Sequence, residues 1–313
     1  MAMPPRIAHL VWLLPLLALP LLLNSDLASP LRAQWAAHGA WPMLPAAVLL
    51  LASHGLRAGR LQLEWGPRLG VGLAECLRVS LLHTAAVNLV PMRGGEAGFP
   101  LLLHRRWGVT LAEGTAALLW LRVQDLVAMA WLAALTLAAL VAPRGAAAAL
   151  GALLLAALAT LGFLFAASRR HAPVRPARPS AEAGLPTRLG HAWRQALAAT
   201  TPASWGFTLG NWLCKLGGLG LLFAAWSGTP ALAGWCAAIG GELAAVLPIQ
   251  APGGFGSYEA AMAAGARVLA PLDWLPLLTA ALAVHLFGLA VSLLAALWAL
   301  RPVGKPAAVE PTR

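Results

Sequence analysis

Two short segments of the sequence combine prolines, paired glycines and a closing glutamate, a combination that a regular helix does not accommodate. They are residues 91–96 (PMRGGE) and residues 248–259 (PIQAPGGFGSYE), and both interrupt apolar stretches. Free backbone N–H groups beside an arginine can bind a phosphate, and a glutamate can bind a cation. A matched pair of interrupted hydrophobic segments predicts a transporter-type binding site. The open alternative is that both are surface loops between membrane spans.

Each closing glutamate is followed, 26 positions later, by a polar residue within a long apolar stretch. Glu96 precedes Arg122 by this distance, and Glu259 precedes His285 by the same distance. Equal spacing at two places predicts a diverged internal repeat. We therefore expect the two interrupted segments to occupy equivalent positions in two halves of the chain.

Eight ionisable residues lie far from both predicted membrane interfaces, where an unpaired charge costs about 2.5–3.5 kcal/mol on insertion scales. They are Arg93, Glu96, Arg122, Asp125, Lys215, Glu242, Glu259 and His285. We expect these side chains to face an internal cavity or one another. Simpler roles stay open: an Arg93–Glu96 ion pair, an intrahelical Arg122–Asp125 pair, helix capping by Glu259 and a core histidine at position 285. For Lys215 and Glu242, which reach similar depths from opposite sides, we expect a structural ion pair.

Composition excludes a soluble protein with a polar surface. The 313 residues are 60% hydrophobic and 11% charged, and the formal net charge is +11. The arginines lie in short segments between apolar runs, so membrane topology explains the charge and nucleic-acid binding is not expected. Cys76, Cys214 and Cys236 are widely spaced, the histidines lack ligand spacing, and no phosphate-binding loop motif occurs. We expect no disulfide framework, no metal and no cofactor.

The sequence predicts an all-α polytopic membrane protein with an inverted repeat and two re-entrant helical hairpins. The expected units are a first membrane half at 1–168 with a hairpin at 79–104, a cytoplasmic basic linker and interfacial helix at 169–200, a second half at 201–300 with a hairpin at 231–270, and a cytoplasmic tail at 301–313. The hairpin arms are too short to cross a bilayer, which needs about 20 helical residues. We therefore expect each hairpin to enter and leave from a single face of the membrane, the first from the cytoplasm and the second from the outside.

The positions of the arginines also divide residues 41–78, within the first membrane half, into a membrane span and an interfacial segment. Residues 41–56 are expected to form a short span, and residues 57–78, which contain four arginines, an interfacial segment. With both termini in the cytoplasm, the cytoplasmic side carries most of the 22 lysines and arginines, and the opposite side carries Arg32, Arg144 and Arg267. This distribution follows the positive-inside rule.

Several of these residues resemble motifs of a known family. They are residues 91–96, Arg105-Arg106-Trp107-Gly108, Arg122, Asp125, Pro252-Gly253-Gly254-Phe255-Gly256 and Glu259. In this order they are similar to the flippase-like membrane domain of lysyl-phosphatidylglycerol synthases and its stand-alone relatives, over roughly residues 10–300. The resemblance implies a bacterial membrane protein of about eight helices that moves or presents a lipid, such as an aminoacylated phospholipid, a hopanoid or a glycolipid carrier. His285 stands where the family pattern leads us to expect arginine, and we expect no aminoacyl-transferase half.

The leading functional hypothesis is translocation of an anionic or modified phospholipid, hopanoid or glycolipid across the bacterial cytoplasmic membrane, without enzymatic activity. The expected lipid-binding residues are Arg93, Gly94, Gly95, Glu96, Arg122, Asp125, Pro252, Gly253, Gly254, Gly256, Glu259 and His285. Expected partners are membrane lipids, a second copy of the chain or enzymes of envelope-lipid synthesis. The alternatives are an intramembrane lipid-modifying enzyme, with Glu259 or His285 as base, and a scaffold for such enzymes.

Overall fold

The computed structural model describes residues 29–141, 184–246 and 251–301 together with Gly151 and Ala157, and these residues are helical apart from short connections. In chain order the described helices are α1 (Ser29–His38), α2 (Met43–Leu69), α3 (Leu73–Leu89), α4 (Gly98–Trp107), α5 (Leu111–Val141), α6 (Leu185–Ala199), α7 (Pro202–Ser227), α8 (Ala231–Ala245), α9 (Ser257–Arg267) and α10 (Trp274–Ala299). The span expected at residues 10–23 and most of the basic linker lie outside the described residues.

Three of the described helices, α5, α7 and α10, are long and apolar enough to cross a membrane. Large leucine side chains lie exposed on their outer faces, among them Leu119, Leu137 and Leu294. In water such an apolar surface would promote aggregation, whereas in a bilayer it contacts hydrocarbon tails and is compatible with a stable fold. The chain is a membrane protein.

Helix α2 corrects the predicted boundary between a short span and an interfacial segment. It continues without interruption through residue 56 to Leu69. Ser53, Arg57, Arg60 and Glu64 recur every three or four residues, which places them on one face of the helix. Arg60 is only 3% exposed, so this face points into the protein and packs along α7. The prediction was wrong because it took each arginine as an interface marker.

Two pairs of short helices bracket the interrupted segments. Helices α3 and α4 are joined by a 3-10 turn over Pro91–Ala97, which we call the first tip. Helices α8 and α9 are joined by a connection that includes residues 252–256, which we call the second tip. Gly240 faces Ala261 and Gly265 faces Cys236, so α8 and α9 run antiparallel at close approach. The two tips contact each other.

Charged contacts gather at one end of the bundle. Arg106 Nη1 lies 2.8 Å from Glu75 Oε1, and Arg68 pairs with Glu113. Arg78 Nη1 donates to the carbonyl oxygen of Arg301, 2.9 Å away, just after α10. Because α10 spans 26 residues, its first residues lie at the opposite end. We call the end that contains Arg78 and Arg301 the basic end.

Helix α6 docks on α5 through aromatic contacts. The ring of Trp120 meets that of Trp193 edge-on at 5.6 Å and that of Trp205 edge-on at 6.3 Å. Trp120 Nε1 donates to Thr200 Oγ1 at 2.6 Å. Arg194 stays exposed on the opposite face of α6. The amphipathic helix expected from the sequence is therefore present, and its apolar face is covered by protein.

Candidate functional site

A central cavity lies where α2, α3, α7, α8 and α10 converge on the second tip. The space among its lining atoms, including the part that is open to the outside, is about 940 Å³. The polar residues among its lining are Ser53, His54, Arg57, Thr84, Asn88, Lys215, Glu242, Tyr258, His285 and Ser292, and the second tip contributes Gly253 and Gly254. Apolar side chains such as Leu50, Leu219 and Leu289 complete the wall. The cavity can therefore hold a ligand with both polar and apolar parts.

One wall of this cavity contains a buried ion pair. Lys215 Nζ on α7 lies 2.5 Å from Glu242 Oε2 on α8, and Tyr258 donates its hydroxyl to Glu242 Oε1 at 3.0 Å. Glu242 is 4% exposed, and both of its carboxylate oxygens are engaged. The structure thus brings together the residues for which the sequence predicts a structural pair.

The second tip ends in a histidine–glutamate contact. His285 Nδ1 on α10 lies 2.6 Å from Glu259 Oε1, and Glu259 Oε2 accepts a 2.6 Å hydrogen bond from the backbone N–H of Gly256. Glu259 therefore both caps α9 and binds His285, which joins two roles that the sequence left as alternatives. The ring of Tyr258 stacks on that of His285 at 4.3 Å. Gly256 has φ of +86°, a conformation that favours glycine.

The first tip ends in the equivalent contact. Arg122 on α5 donates to Glu96 Oε2 from Nη2 at 2.8 Å and from Nε at 3.2 Å. His83 Nε2 lies 3.3 Å from the same oxygen. Gly95 is buried, and a Cβ placed on it would lie 2.0 Å from the carbonyl oxygen of Ala86. The side chains of Arg93 and Pro252 lie outside the described part of the structure.

A buried network extends from Arg122 into the bundle. Arg122 Nη1 lies 3.2 Å from Asp125 Oδ2, and Arg60 Nη1 on α2 lies 2.9 Å from Asp125 Oδ1. Arg60 also donates to Thr208 Oγ1 on α7 at 2.8 Å. Gln124 links this network to Glu64 through a 3.1 Å hydrogen bond. The intrahelical Arg122–Asp125 pair is present, and Arg60 adds a second cation to the same carboxylate.

Arg57 lies between the network and the cavity. It lines the central cavity and also a smaller side pocket that contains Arg60, His83, Arg122 and Asp125. Among the described residues, its guanidinium makes one hydrogen bond, to Thr84 Oγ1 at 3.3 Å. Arg57 is the cation of the cavity wall that has no carboxylate at ion-pair distance within that part of the chain.

Five of the expected lipid-binding residues line one of the two pockets. Gly253, Gly254 and His285 line the central cavity, whereas Arg122 and Asp125 line the side pocket. Five others line neither pocket: Gly94, Gly95, Glu96, Gly256 and Glu259. Sequence reasoning missed seven polar lining residues, which are Ser53, His54, Arg57, Thr84, Asn88, Tyr258 and Ser292. The signal for Arg57 was available, since it belongs to the polar stripe on α2 at helical spacing.

The described residues contain no group of three or more His, Cys, Asp or Glu side chains placed to hold a metal ion. The arrangement offers cations, hydrogen-bond donors and a hydrogen-bonded histidine–glutamate pair. These groups can bind a phosphate and polar head-group atoms without a covalent step.

Comparison with known proteins places this arrangement in a family. The family model described as the lysylphosphatidylglycerol synthase TM region matches residues 7–296. No curated protein and no solved structure matches the chain. The matched residues include both tips, the buried network and the whole lining of the central cavity. The chain therefore belongs to the family of the lysylphosphatidylglycerol synthase TM region, as its interrupted segments predicted.

Proposed function

We propose that this protein moves lipid between the leaflets of the bacterial cytoplasmic membrane and does so without chemical modification of the lipid. The observation that carries the proposal is the central cavity, whose wall joins charged groups on α2 and α7 to the second tip and to apolar side chains. Charges at such depth are costly unless they are paired, hydrated or bound to a ligand. Family membership relates the chain to lipid modification or transport in membranes.

In this proposal the second tip supplies polar groups to the translocation site, and the first tip packs against the second. Gly253 and Gly254 bring backbone groups to the cavity, and His285 with Glu259 lies directly beside them. Arg93, Gly94 and Gly95 belong to the first tip, which contacts the second. The sequence has no nucleotide-binding loop. Net movement then depends on an ion gradient or on downhill removal of the lipid.

Helix lengths support two re-entrant hairpins from opposite faces. Helices α3, α4, α8 and α9 have 17, 10, 15 and 11 residues, fewer than the roughly 20 that cross a bilayer. The Arg106–Glu75 contact puts the open end of the first hairpin at the basic end of the bundle. The second hairpin ends at Arg267, which stacks on Trp274 where α10 begins at the other end. These contacts support our proposal that the hairpins open toward opposite ends of the bundle, which is the arrangement that an inverted repeat requires.

Orientation follows from the same contacts. The basic end includes Arg68, Arg78, Arg106 and Arg301, so the positive-inside rule assigns it to the cytoplasm. The linker is then cytoplasmic. A Ser180→Cys variant in intact cells should resist a membrane-impermeant thiol reagent until the membrane is opened. Labelling of intact cells would reverse the assignment.

The test of function is a leaflet-exposure assay in proteoliposomes. Vesicles with the full chain and a trace of a fluorescent phospholipid are treated with an impermeant quencher. We expect loss of nearly all fluorescence, against about half in protein-free vesicles, because lipid from the inner leaflet reaches the outside. Unchanged quenching for every lipid tested would contradict the proposal. A new lipid mass after incubation would instead favour an enzyme.

A further inference from the structure

The cavity wall carries unequal numbers of opposite charges. Arg57, Lys215 and Glu242 are its arginine, lysine and carboxylate residues among the described lining. Lys215 and Glu242 neutralise each other at 2.5 Å, and Tyr258 occupies the other oxygen of Glu242. Arg57 is left with the Thr84 hydroxyl. Among the described lining residues, one fixed positive charge therefore has no carboxylate in direct contact.

The nearby carboxylates of Asp125 and Glu96 bind other arginines and not Arg57. Asp125 holds Arg60 with one oxygen and Arg122 with the other. Glu96 accepts two hydrogen bonds from Arg122. If Asp125 turned toward Arg57, the buried Arg60 would lose the carboxylate that it binds, which is strongly unfavourable. The guanidinium of Arg57 makes no direct contact with these carboxylates among the described residues, and it lines the cavity where a ligand can reach it.

A second observation points to the same wall. His54, one turn before Arg57 on α2, is 8% exposed and lines the cavity, and its Nδ1 has no hydrogen-bond partner among the described residues. Buried polar atoms are normally hydrogen-bonded, so this ring nitrogen can bond to a ligand that occupies the cavity beside Arg57. The Asn88 amide and the Ser292 hydroxyl lie on the same lining.

The geometry points to a phosphodiester of a net-anionic lipid bound at Arg57 in the central cavity, an inference that rests on the proposed function and names its substrate class. A guanidinium can hold two phosphate oxygens through two parallel N–H groups in one plane, a geometry that a lysine ammonium lacks. An aminoacylated head group would bring an ammonium beside Arg57 and Lys215, while the lining carboxylate, Glu242, is already doubly engaged. The cavity therefore favours phosphatidylglycerol over its lysyl ester and over phosphatidylcholine.

The experiment compares three fluorescent lipids with the same acyl chains: phosphatidylglycerol, lysyl-phosphatidylglycerol and phosphatidylcholine. The proteins are the full chain and its Arg57→Gln, Arg57→Lys and Arg106→Gln variants in proteoliposomes. Wild type should move phosphatidylglycerol fastest. Arg57→Gln should slow it roughly tenfold or more, since hydrogen bonds to charged groups are strong, and Arg57→Lys should retain part of the rate. Arg106→Gln, which loses an exposed pair with Glu75, should resemble wild type.

A binding measurement keeps this inference separable from the proposed function. Native mass spectrometry of purified protein should show phosphatidylglycerol retained by wild type and lost from Arg57→Gln. If wild type retains phosphatidylglycerol but moves no lipid in proteoliposomes, the transport proposal is wrong and the inferred binding site at Arg57 still stands. Equal retention of all three lipids, or undiminished binding by a folded Arg57→Gln variant, would overturn the inference. Displacement of the lipid by an equal concentration of inorganic phosphate would overturn its assignment to a lipid.

Discussion

At each tip a glutamate binds a polar side chain on a long helix, but the partner is an arginine at the first tip and a histidine at the second. Glu96 binds Arg122 and Glu259 binds His285, each across 26 positions. Arg122 belongs to a network in which Asp125 also binds Arg60, so two guanidinium groups share one carboxylate. His285 belongs to a smaller group that is fixed by stacking on Tyr258. The repeated spacing of 26 residues thus places a contact between each tip and the long helix that follows it. The residue that binds the glutamate differs between the two halves.

The largest expected effect comes from breaking the first network. Asp125→Asn should lower the free energy of unfolding by about 3–5 kcal/mol, because it leaves Arg60 and Arg122 without their shared carboxylate in a buried site. Thermal unfolding in detergent would measure it. Glu75→Gln is the matched control, since it removes an exposed pair worth about 0–1 kcal/mol. Equal melting temperatures for the two variants would show that the buried network contributes no more to stability than an exposed ion pair.

Close helix packing should be the next most sensitive feature. A Cβ on Gly240 would lie 2.3 Å from the carbonyl oxygen of Ala261, so Gly240→Ala should cost about 1–3 kcal/mol by forcing α8 and α9 apart. Gly206→Ala in α7 meets nothing within 4 Å and should be neutral or slightly stabilising. Equal stability of both variants would mean that α8 and α9 separate without cost. The measurement is again the melting temperature.

The Lys215–Glu242 pair should reveal itself in a double-mutant cycle. Lys215→Ala leaves Glu242 buried with Tyr258 alone, so the single variant should lose about 1–2 kcal/mol more than the double variant with Glu242→Ala. Unfolding by denaturant in mixed micelles gives the four free energies. Additive losses would show that the two side chains do not interact.

The smallest effect is expected from a single neutral donor. Tyr258→Phe removes the 3.0 Å hydrogen bond to Glu242 and keeps an aromatic ring over His285. The loss should be about 1 kcal/mol, typical of one hydrogen bond. Tyr258→Leu, which also removes the stacked ring, should lose more. If both variants lose the same amount, stacking on His285 contributes nothing to the second tip.

Much of this architecture could be predicted from the sequence because it depends on local patterns. Interrupted apolar stretches predicted both tips, and the depth of Lys215 and Glu242 predicted their contact. The burial of Arg60 could not be read from charge counting, since its partner Asp125 lies 65 positions away. A positive charge in an apolar sequence indicates an interface only when no distant carboxylate is available. The helical spacing of the polar residues on α2 was the usable signal.

The edge-on contacts around Trp120 have a spectroscopic consequence. Tryptophan side chains held in a fixed asymmetric environment contribute to the near-ultraviolet circular dichroism of a folded protein, and this contribution disappears when tertiary packing loosens. Trp120, Trp193 and Trp205 come from α5, α6 and α7, so their shared signal reports the docking of α6 on the bundle. The far-ultraviolet signal follows helix content as a whole. A loss of the first with retention of the second would therefore mark looser side-chain packing, to which the three rings around Trp120 contribute, while the helices persist.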